Sequence, residues 1–456
     1  MTSQEIIQLQ RLFFESGQTK DIKFRQQQLA KLKQLLKANE SLLYEAIYTD
    51  FGKSSFETYL TELALIYHEI KLLNKKIPQW SRPKRVSTDL PNWPGKSYII
   101  PEPLGNTLVI GAWNYPYQLS LLPAITALAA GNTVILKPSE LPSNTSMVMA
   151  ELINKHFDPG FFHVLQGGVG ETTALLQQRF DKIFFTGSTR VGKIIYEAAA
   201  KHLTPVTLEL GGKSPTFVLA DTDLPMTVKR IVWAKFLNAG QTCVAPDYIL
   251  VDKSIEKDFL KALKKEIEKQ FDQKQNLSDN YVQIINEKHL QSLAQLIKPD
   301  KIYSGGQIDY EKRLIMPTVL HNISFEDTVM SNEIFGPILP VIAFDDLNQA
   351  INQVKTLPKP LSCYVYGRNK KQINQIIQNI SFGGGVVNDS IMHLSNPNLP
   401  FGGVGFSGMG TYHGKAGFDT FTHYKSLLKK TFWWEPPLKY PPYKPWKLKI
   451  LKWIFE

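Results

Sequence analysis

Phe184-Phe185-Thr186-Gly187-Ser188-Thr189-Arg190-Val191-Gly192 reads as the end of a buried strand, a tight turn and the start of a helix. A glycine directly after an apolar strand lets backbone approach a ligand, Ser188 offers a hydroxyl, and a helix N-terminus attracts anions. Working outward, apolar runs at 107–110, 133–136, 161–164, 182–185 and 206–210 alternate with helical patterns near 118–130, 144–157, 170–178 and 190–202. Strands alternating with helices in this way argue for a parallel sheet with helices on both faces. A second alternation follows Gly211, with strands at 216–219 and 248–251 and helices near 224–238 and 254–272. The fold expected is α/β, with two parallel-sheet, Rossmann-like domains that meet at Leu210-Gly211-Gly212.

The first 80 residues read as helices. Leu29, Leu32 and Leu36 recur at helical spacing, and Ser54 with Glu57 spells a capping box. Tyr98-Ile99-Ile100-Pro101-Glu102-Pro103 is extended and broken by prolines, as in an edge strand or an arm. The stretch from Phe382 to Gly410 is rich in glycine and loops.

Composition narrows the class. With 456 residues and 43% hydrophobic content, the chain has material for two or three domains. Two cysteines, Cys243 and Cys363, cannot form a disulfide framework, so a reducing compartment is expected. Charged residues interrupt the first 30 positions, and no apolar run reaches the ~18–20 residues of a spanning helix, so the expected location is the cytoplasm. The formal charge of +11 is concentrated in one place: from Lys425 to Glu456, eight lysines face two glutamates, a net +6. No basic stripe covers the body, which argues against nucleic acid. On a helical projection of the tail, Trp446, Ile450, Trp453 and Ile454 share one side and Lys449 and Lys452 lie opposite, with Lys447 breaking the pattern. Two readings stand: an interfacial helix on an anionic membrane surface, or packing against a partner subunit.

The chemistry is carried by a few segments. Cys243 lies in Asn238-Ala239-Gly240-Gln241-Thr242-Cys243-Val244-Ala245-Pro246, and a thiol is the best soft nucleophile a protein has. Glu209 lies in Leu208-Glu209-Leu210-Gly211-Gly212-Lys213-Ser214-Pro215, where apolar neighbours raise its pKa and suit it to general-base work. Asn114, in Gly111-Ala112-Trp113-Asn114-Tyr115-Pro116 at the end of the first sheet strand, reads as an oxyanion donor or as a turn residue. Lys137 and Glu140 end the second strand, where ribose hydroxyls bind or where a solvated turn would sit. Glu333 and Phe335 lie two apart and would share a face of an extended strand. Nine histidines show no i, i+4 pair and no cysteine partner, so no metal site is expected. No G-x-S-x-G elbow or G-K-[ST] phosphate loop appears, which lowers hydrolase and nucleotidase readings.

Asn114, Lys137 with Glu140, Gly187 with Gly192, Glu209, Cys243, and Glu333 with Phe335 follow in the order seen in the aldehyde dehydrogenase superfamily, which the chain resembles over nearly its whole length. Gly111-Ala112-Trp113-Asn114-Tyr115-Pro116, Val244-Ala245-Pro246-Asp247-Tyr248 and Tyr412-His413-Gly414-Lys415-Ala416-Gly417-Phe418 resemble the class 3 branch, the fatty and aromatic aldehyde dehydrogenases. The resemblance implies oxidation of an aliphatic, aromatic or isoprenoid aldehyde to its acid. Cys243 would be the nucleophile, Glu209 the base that activates water, and Asn114 an oxyanion donor. It implies NAD as cofactor, with NADP also accepted. Trp113, Lys137, Glu140, Thr186, Gly187, Ser188, Gly192, Glu333 and Phe335 would hold it, while Asn388 supports the site. It further implies an NAD-binding domain at 1–210 with an arm at 86–103, a catalytic domain at 211–410, and an oligomerisation segment and tail at 411–456 in a homodimer. The rivals are a coenzyme A-acylating dehydrogenase, in which Glu209 would have no purpose, and a non-catalytic scaffold on the same fold.

Overall fold

The computed structural model describes residues 2–271 and 281–456. The chain divides into two units, Met1–Trp80 with Pro103–Thr422, and Ser81–Glu102 with His423–Glu456.

In the larger unit a six-stranded sheet runs in the order Gly408–Met409, Val206–Glu209, Lys182–Thr186, Asn106–Ile110, Thr133–Lys137, Phe162–Val164. All neighbours are parallel except Gly408–Met409. The three central strands are buried along their whole length, which is why their sequences are continuously apolar instead of alternating. Val134, Ile135 and Leu136 are fully buried, each contributing about 1.5–3 kcal/mol by leaving water. From Asn106–Ile110 the chain moves outward to one side and then returns to Lys182–Thr186 on the other. That reversal opens a crevice beyond the carboxyl ends of these two strands, where ligands of open parallel sheets bind. Helices Gln118–Ala130, Ser143–His156, Val169–Leu176 and Thr189–Ala200 lie within a residue or two of their sequence expectation. Gly192 belongs to the packing of the last one: a Cβ there would stand 2.8 Å from Leu210.

The same unit carries a seven-stranded sheet in the order Ile302–Ser304, Thr318–Leu320, Ile338–Phe344, Tyr248–Asp252, Pro215–Val218, Ser362–Tyr366, Gly384–Val387. Only its edge strand Ile302–Ser304 pairs antiparallel. Helix Glu256–Gln270 fills most of the span expected near 254–272, whose end lies outside the described residues. Helix Ile22–Ala38 buries Leu29, Leu32 and Leu36 as their spacing predicts.

Three local readings change. Ser54 does cap its helix, accepting the Glu57 N–H at 3.2 Å, but the capping box is not closed. The Glu57 carboxylate reaches away and accepts the Asn238 N–H at 2.9 Å instead. Glu333 and Phe335 are not on a strand but in the loop ahead of Ile338–Phe344, and Phe335 adopts a left-handed φ of 53°. In the smaller unit, Lys96–Pro103 is the central strand of three, between Lys84–Val86 and Thr422–Lys429, not an edge. Lys84–Val86 pairs only with Ser97–Ile99, so Pro101 and Pro103 fall clear of that ladder.

The tail forms helix Pro445–Phe455. Trp446, Ile450, Trp453 and Phe455 are exposed there, whereas Lys447 is buried and donates from Nζ to the Tyr440 carbonyl at 2.6 Å. This accounts for the one lysine that breaks the amphipathic pattern. No helix among the described residues is long and apolar enough to cross a membrane.

Candidate active site

The segment before Cys243 leaves helix Leu224–Phe236 through three successive left-handed residues, Asn238 (φ 54°), Ala239 (φ 52°) and Gly240 (φ 72°). Asparagine and glycine accept that conformation, while alanine loses about 1–2 kcal/mol in it. Hydrogen bonds hold the turn. Asn238 donates from Nδ2 to the carbonyls of Asn114 (2.9 Å) and Gln241 (3.1 Å), and Asn114 Nδ2 donates to the Gln241 carbonyl (3.0 Å). Gln241 donates from Nε2 to the Asn238 carbonyl and accepts the Ile285 N–H at 3.0 Å. At Gly240 a Cβ would stand 2.3 Å from the Gly336 carbonyl oxygen, so no other residue fits without movement. The Tyr115 hydroxyl meets Thr242 Oγ1 at 2.6 Å, and the Tyr364 hydroxyl donates to the Val244 carbonyl at 2.6 Å. Tyr115 is itself held from behind by Lys53, whose Nζ lies 4.2 Å from the ring centre and 2.7 Å from Glu62.

Cys243 opens onto a cavity of about 330 Å³ that Glu209 and Thr186 also line. Most of the remaining wall is apolar, including Leu60, Leu65, Leu119, Trp233, Leu237 and Phe401. Burial, and then the Glu333 and Glu209 carboxylates, push the Cys243 thiol up to about 12, so at rest it keeps its proton. Neither oxygen of Glu209 has a hydrogen-bond partner, and burial raises its carboxyl well above the ordinary range. Strand register places Glu209 directly beside Thr186, and the Glu209 carbonyl accepts the Gly187 N–H at 3.0 Å.

Glu333 is held by residues the sequence reading quoted without assigning. A Cβ on Gly211 would lie 2.0 Å from Glu333 Oε2, so glycine there makes room for the carboxylate. Burial and Asp247 raise Glu333 to about 8, against the opposing effects of the Gly212 backbone, Lys213 and Lys235. Lys213 Nζ is 2.5 Å from Asp247 and donates to the carbonyls of Val329 (3.1 Å) and Asn332 (2.9 Å). The second Asp247 oxygen accepts the Ile334 N–H at 3.0 Å. Phe335 meets Trp113 edge to face at 5.3 Å, and its carbonyl is 2.8 Å from His289 Nε2. Glu57, Gln241, Asp247, Lys213 and His289 thus escaped the sequence reading as positioning groups. Glu57 showed only as part of a capping-box pattern, and Lys213 and Asp247 as charges inside otherwise apolar motifs.

Lys137 and Glu140 stand at the end of a different strand and do not line the cavity. Lys137 is buried, donates to the Pro138 carbonyl at 2.7 Å and lies 3.7 Å from Glu140. Burial lowers its pKa, with Glu140 opposing. Ser188 caps helix Thr189–Ala200 by accepting the Val191 N–H at 3.4 Å. Asn388 is not in the cavity wall; its side chain closes a reciprocal pair with the Gly367 backbone at 2.8 and 2.9 Å. These groups suit a dinucleotide. The buried Thr186 Oγ1 lacks a partner, a capped helix N-terminus follows it, and the Gly211 gap admits Glu333 from the other side.

A two-sheet α/β fold with a thiol and an orphan carboxylate in one apolar cavity has the makings of covalent catalysis through cysteine. The sequence matches the aldehyde dehydrogenase family over residues 4–427, and the chain belongs to that family. It is 47% identical over 446 residues to 4,4'-diaponeurosporen-aldehyde dehydrogenase of Staphylococcus aureus, covering 97% of each chain. It is 45% identical to the dimeric NADP-preferring aldehyde dehydrogenase of Rattus norvegicus, covering 94% of this chain and 95% of that one. A solved structure of Staphylococcus aureus AldH in a substrate-bound state superposes with a TM-score of 0.97 at 45% identity, covering 100% of both chains. The protein is an NAD(P)-dependent aldehyde dehydrogenase, as the resemblance implied.

Proposed function

We propose that the enzyme oxidises apolar aldehydes of medium to long chain, aromatic or isoprenoid, to their carboxylic acids. The observation that carries this is the apolar cavity holding Cys243 and Glu209 together. Cys243 passes its thiol proton to water, and Sγ attacks the aldehyde carbon to give the thiohemiacetal as its oxyanion. Asn114 is buried and does not itself line the cavity; its amide, which gives one N–H to the Gln241 carbonyl, and the Cys243 backbone N–H would be the donors for the oxyanion. NAD(P)⁺, when bound, supplies a two-electron acceptor and a positive charge that opposes the upward push on the thiol. Lys137 and Glu140 would hold the adenosine ribose, Thr186 to Gly192 the pyrophosphate, and Glu333, Phe335 and Trp113 the nicotinamide end. Glu209 takes a proton from water, which then hydrolyses the thioester on Cys243.

The relative named for diaponeurosporen-aldehyde supports including isoprenoid substrates. The test is NADH formation over a panel of aliphatic, aromatic and isoprenoid aldehydes, with and without coenzyme A. Acid production independent of coenzyme A supports the reading, and a strict requirement for it would replace water with a thiol acceptor. Cys243→Ala should form no NADH with any of them.

The same reading assigns residues 1–210 to cofactor binding, with an arm at 86–103, residues 211–410 to catalysis and 411–456 to assembly. A homodimer is supported by the exposed strand Thr422–Lys429 and by the word dimeric in the rat relative's name. For the tail, exposed Trp453 and Phe455 beside Lys449 and Lys452 favour weak contact with the inner face of a membrane by a cytoplasmic protein.

A further inference from the structure

Beside the Cys243 cavity lies a recess of about 30 Å³, room for one oxygen-sized group. It shares five lining residues with the cavity, Gln118 and His413 among them, and adds Glu69. Neither Cys243 nor Glu209 reaches it, so the reaction described above leaves it unused.

His413 is only 7% exposed, and its Nε2 has no hydrogen-bond partner. Its other ring nitrogen is held by the Leu394 backbone carbonyl, which leaves Nε2 with the lone pair. Burial brings the imidazole down to about 4, so the ring is neutral and Nε2 accepts. Aromatic neighbours fix it: Phe401 lies face to face at 5.2 Å and Tyr412 edge to face at 4.3 Å.

Glu69, 5% exposed, accepts the Gly414 N–H at 3.1 Å. Burial pushes its carboxyl up to about 7, so near neutrality it carries a proton much of the time and offers an O–H donor. An acceptor and a donor around a space for one oxygen complement a hydroxyl group. An alkyl chain passing the recess would leave both unmatched except by water.

Resting on the reading of the larger cavity as the aldehyde pocket, we propose that the His413–Glu69 recess is a subsite for a hydroxyl carried by the substrate away from its carbonyl. The favoured substrates are then otherwise apolar hydroxyaldehydes. The test compares kcat/KM for matched alkanals and ω-hydroxyalkanals of graded chain length. It uses the wild-type enzyme, His413→Phe, which keeps the stacking but removes the acceptor, and Glu69→Gln and Glu69→Leu. At the matching chain length the wild type should favour the hydroxylated member. That ratio should fall about tenfold in His413→Phe and Glu69→Leu, the scale of one lost hydrogen bond in a site built for it. It should survive in Glu69→Gln, whose amide donates to the same hydroxyl. If His413→Phe does not fold, the two Glu69 variants decide. A ratio unchanged between wild type and variants at every length means that the recess holds only water, and overturns the proposal. Failure of the wild type to oxidise either series would instead overturn the aldehyde-pocket reading.

Discussion

Replacing Glu209 by glutamine exchanges one oxygen for an amide in a site where neither carboxylate oxygen has a partner. The shape of the cavity is kept and no hydrogen bond is lost, so the change isolates the base. A positioned general base contributes about 10²–10⁴-fold, most when its pKa lies near the working pH. Burial raises Glu209 well above the ordinary carboxyl range, and a loss in the middle of that span, about 10³-fold in thioester hydrolysis or ~4 kcal/mol of barrier, is expected. Thiohemiacetal formation uses Cys243 and the donors around it and should be spared. Rapid mixing with NAD and an apolar aldehyde should therefore give one equivalent of NADH per site, then near-silence, with an acyl group on Cys243 by mass spectrometry. Stability gives a second readout. A carboxyl raised by burial binds its proton more tightly folded than unfolded, so the stability it confers in acid is lost as pH rises above the ordinary carboxylate range. The glutamine variant never charges, so it should resist urea better than wild type at pH 8, with the gap closing toward acid pH. Steady turnover at the wild-type rate would refute the assignment and require another base.

Glu140 at the ribose predicts a preference for NAD over NADP, and Glu140→Gln should shift the kcat/KM ratio toward NADP by about fivefold, the worth of one exposed like-charge contact near 1 kcal/mol; comparable values for both cofactors in the wild type would count against it. Gly211→Ala places a Cβ 2.0 Å from Glu333 Oε2 and should raise KM for NAD about tenfold by displacing that carboxylate, whereas an unchanged KM would remove Glu333 from the cofactor site. Sedimentation at micromolar concentration should show a dimer, and a stable monomer or tetramer would contradict it. Flotation with anionic vesicles at low salt should carry the full chain, but not one truncated after Tyr443, and salt should release it; equal behaviour of the two would leave the tail as a subunit contact.

The sheets were legible because both faces of a parallel strand are buried, so each appears as a short apolar run between helical patterns. Glu209 and Thr186 were legible because each ends such a run, and Cys243 because it lies between an apolar helical stretch and the next apolar strand. What sequence spacing could not show was three-dimensional support. Glu57 and Ser54 satisfy the capping-box pattern, yet the carboxylate crosses 181 positions to the Asn238 N–H, a bond that only the tertiary fold sets. Glu333 and Phe335 alternate like a strand, but no pairing partner forms, and Phe335 turns left-handed instead. His413 stands inside a stretch recognisable as a family motif, but an isolated histidine announces neither a missing partner nor the recess beside it.

The electrostatics of the resting site link these features. Burial lifts Glu209 and raises the Glu333 carboxyl to about 8, and with their help it raises the Cys243 thiol to about 12. Desolvation is the largest cause for all three, so these groups favour their neutral forms at rest in the same surroundings that make the cavity apolar, and Glu209 has to ionise before it can serve as the proposed base. A site of fixed charges would retain water and exclude an alkyl chain, whereas an apolar aldehyde could enter this one without stripping charged groups of solvent. The same physics reaches Glu69 and His413, which are neutral because they are buried and can therefore discriminate by hydrogen bonding. Cys243, Glu209 and the Glu69–His413 recess are in this sense products of one property of the sequence, polar residues placed singly within apolar segments. The strained Asn238-Ala239-Gly240 turn precedes Cys243, which lines that apolar space, and Lys213 pairs with Asp247, whose other oxygen holds the Ile334 N–H next to Glu333.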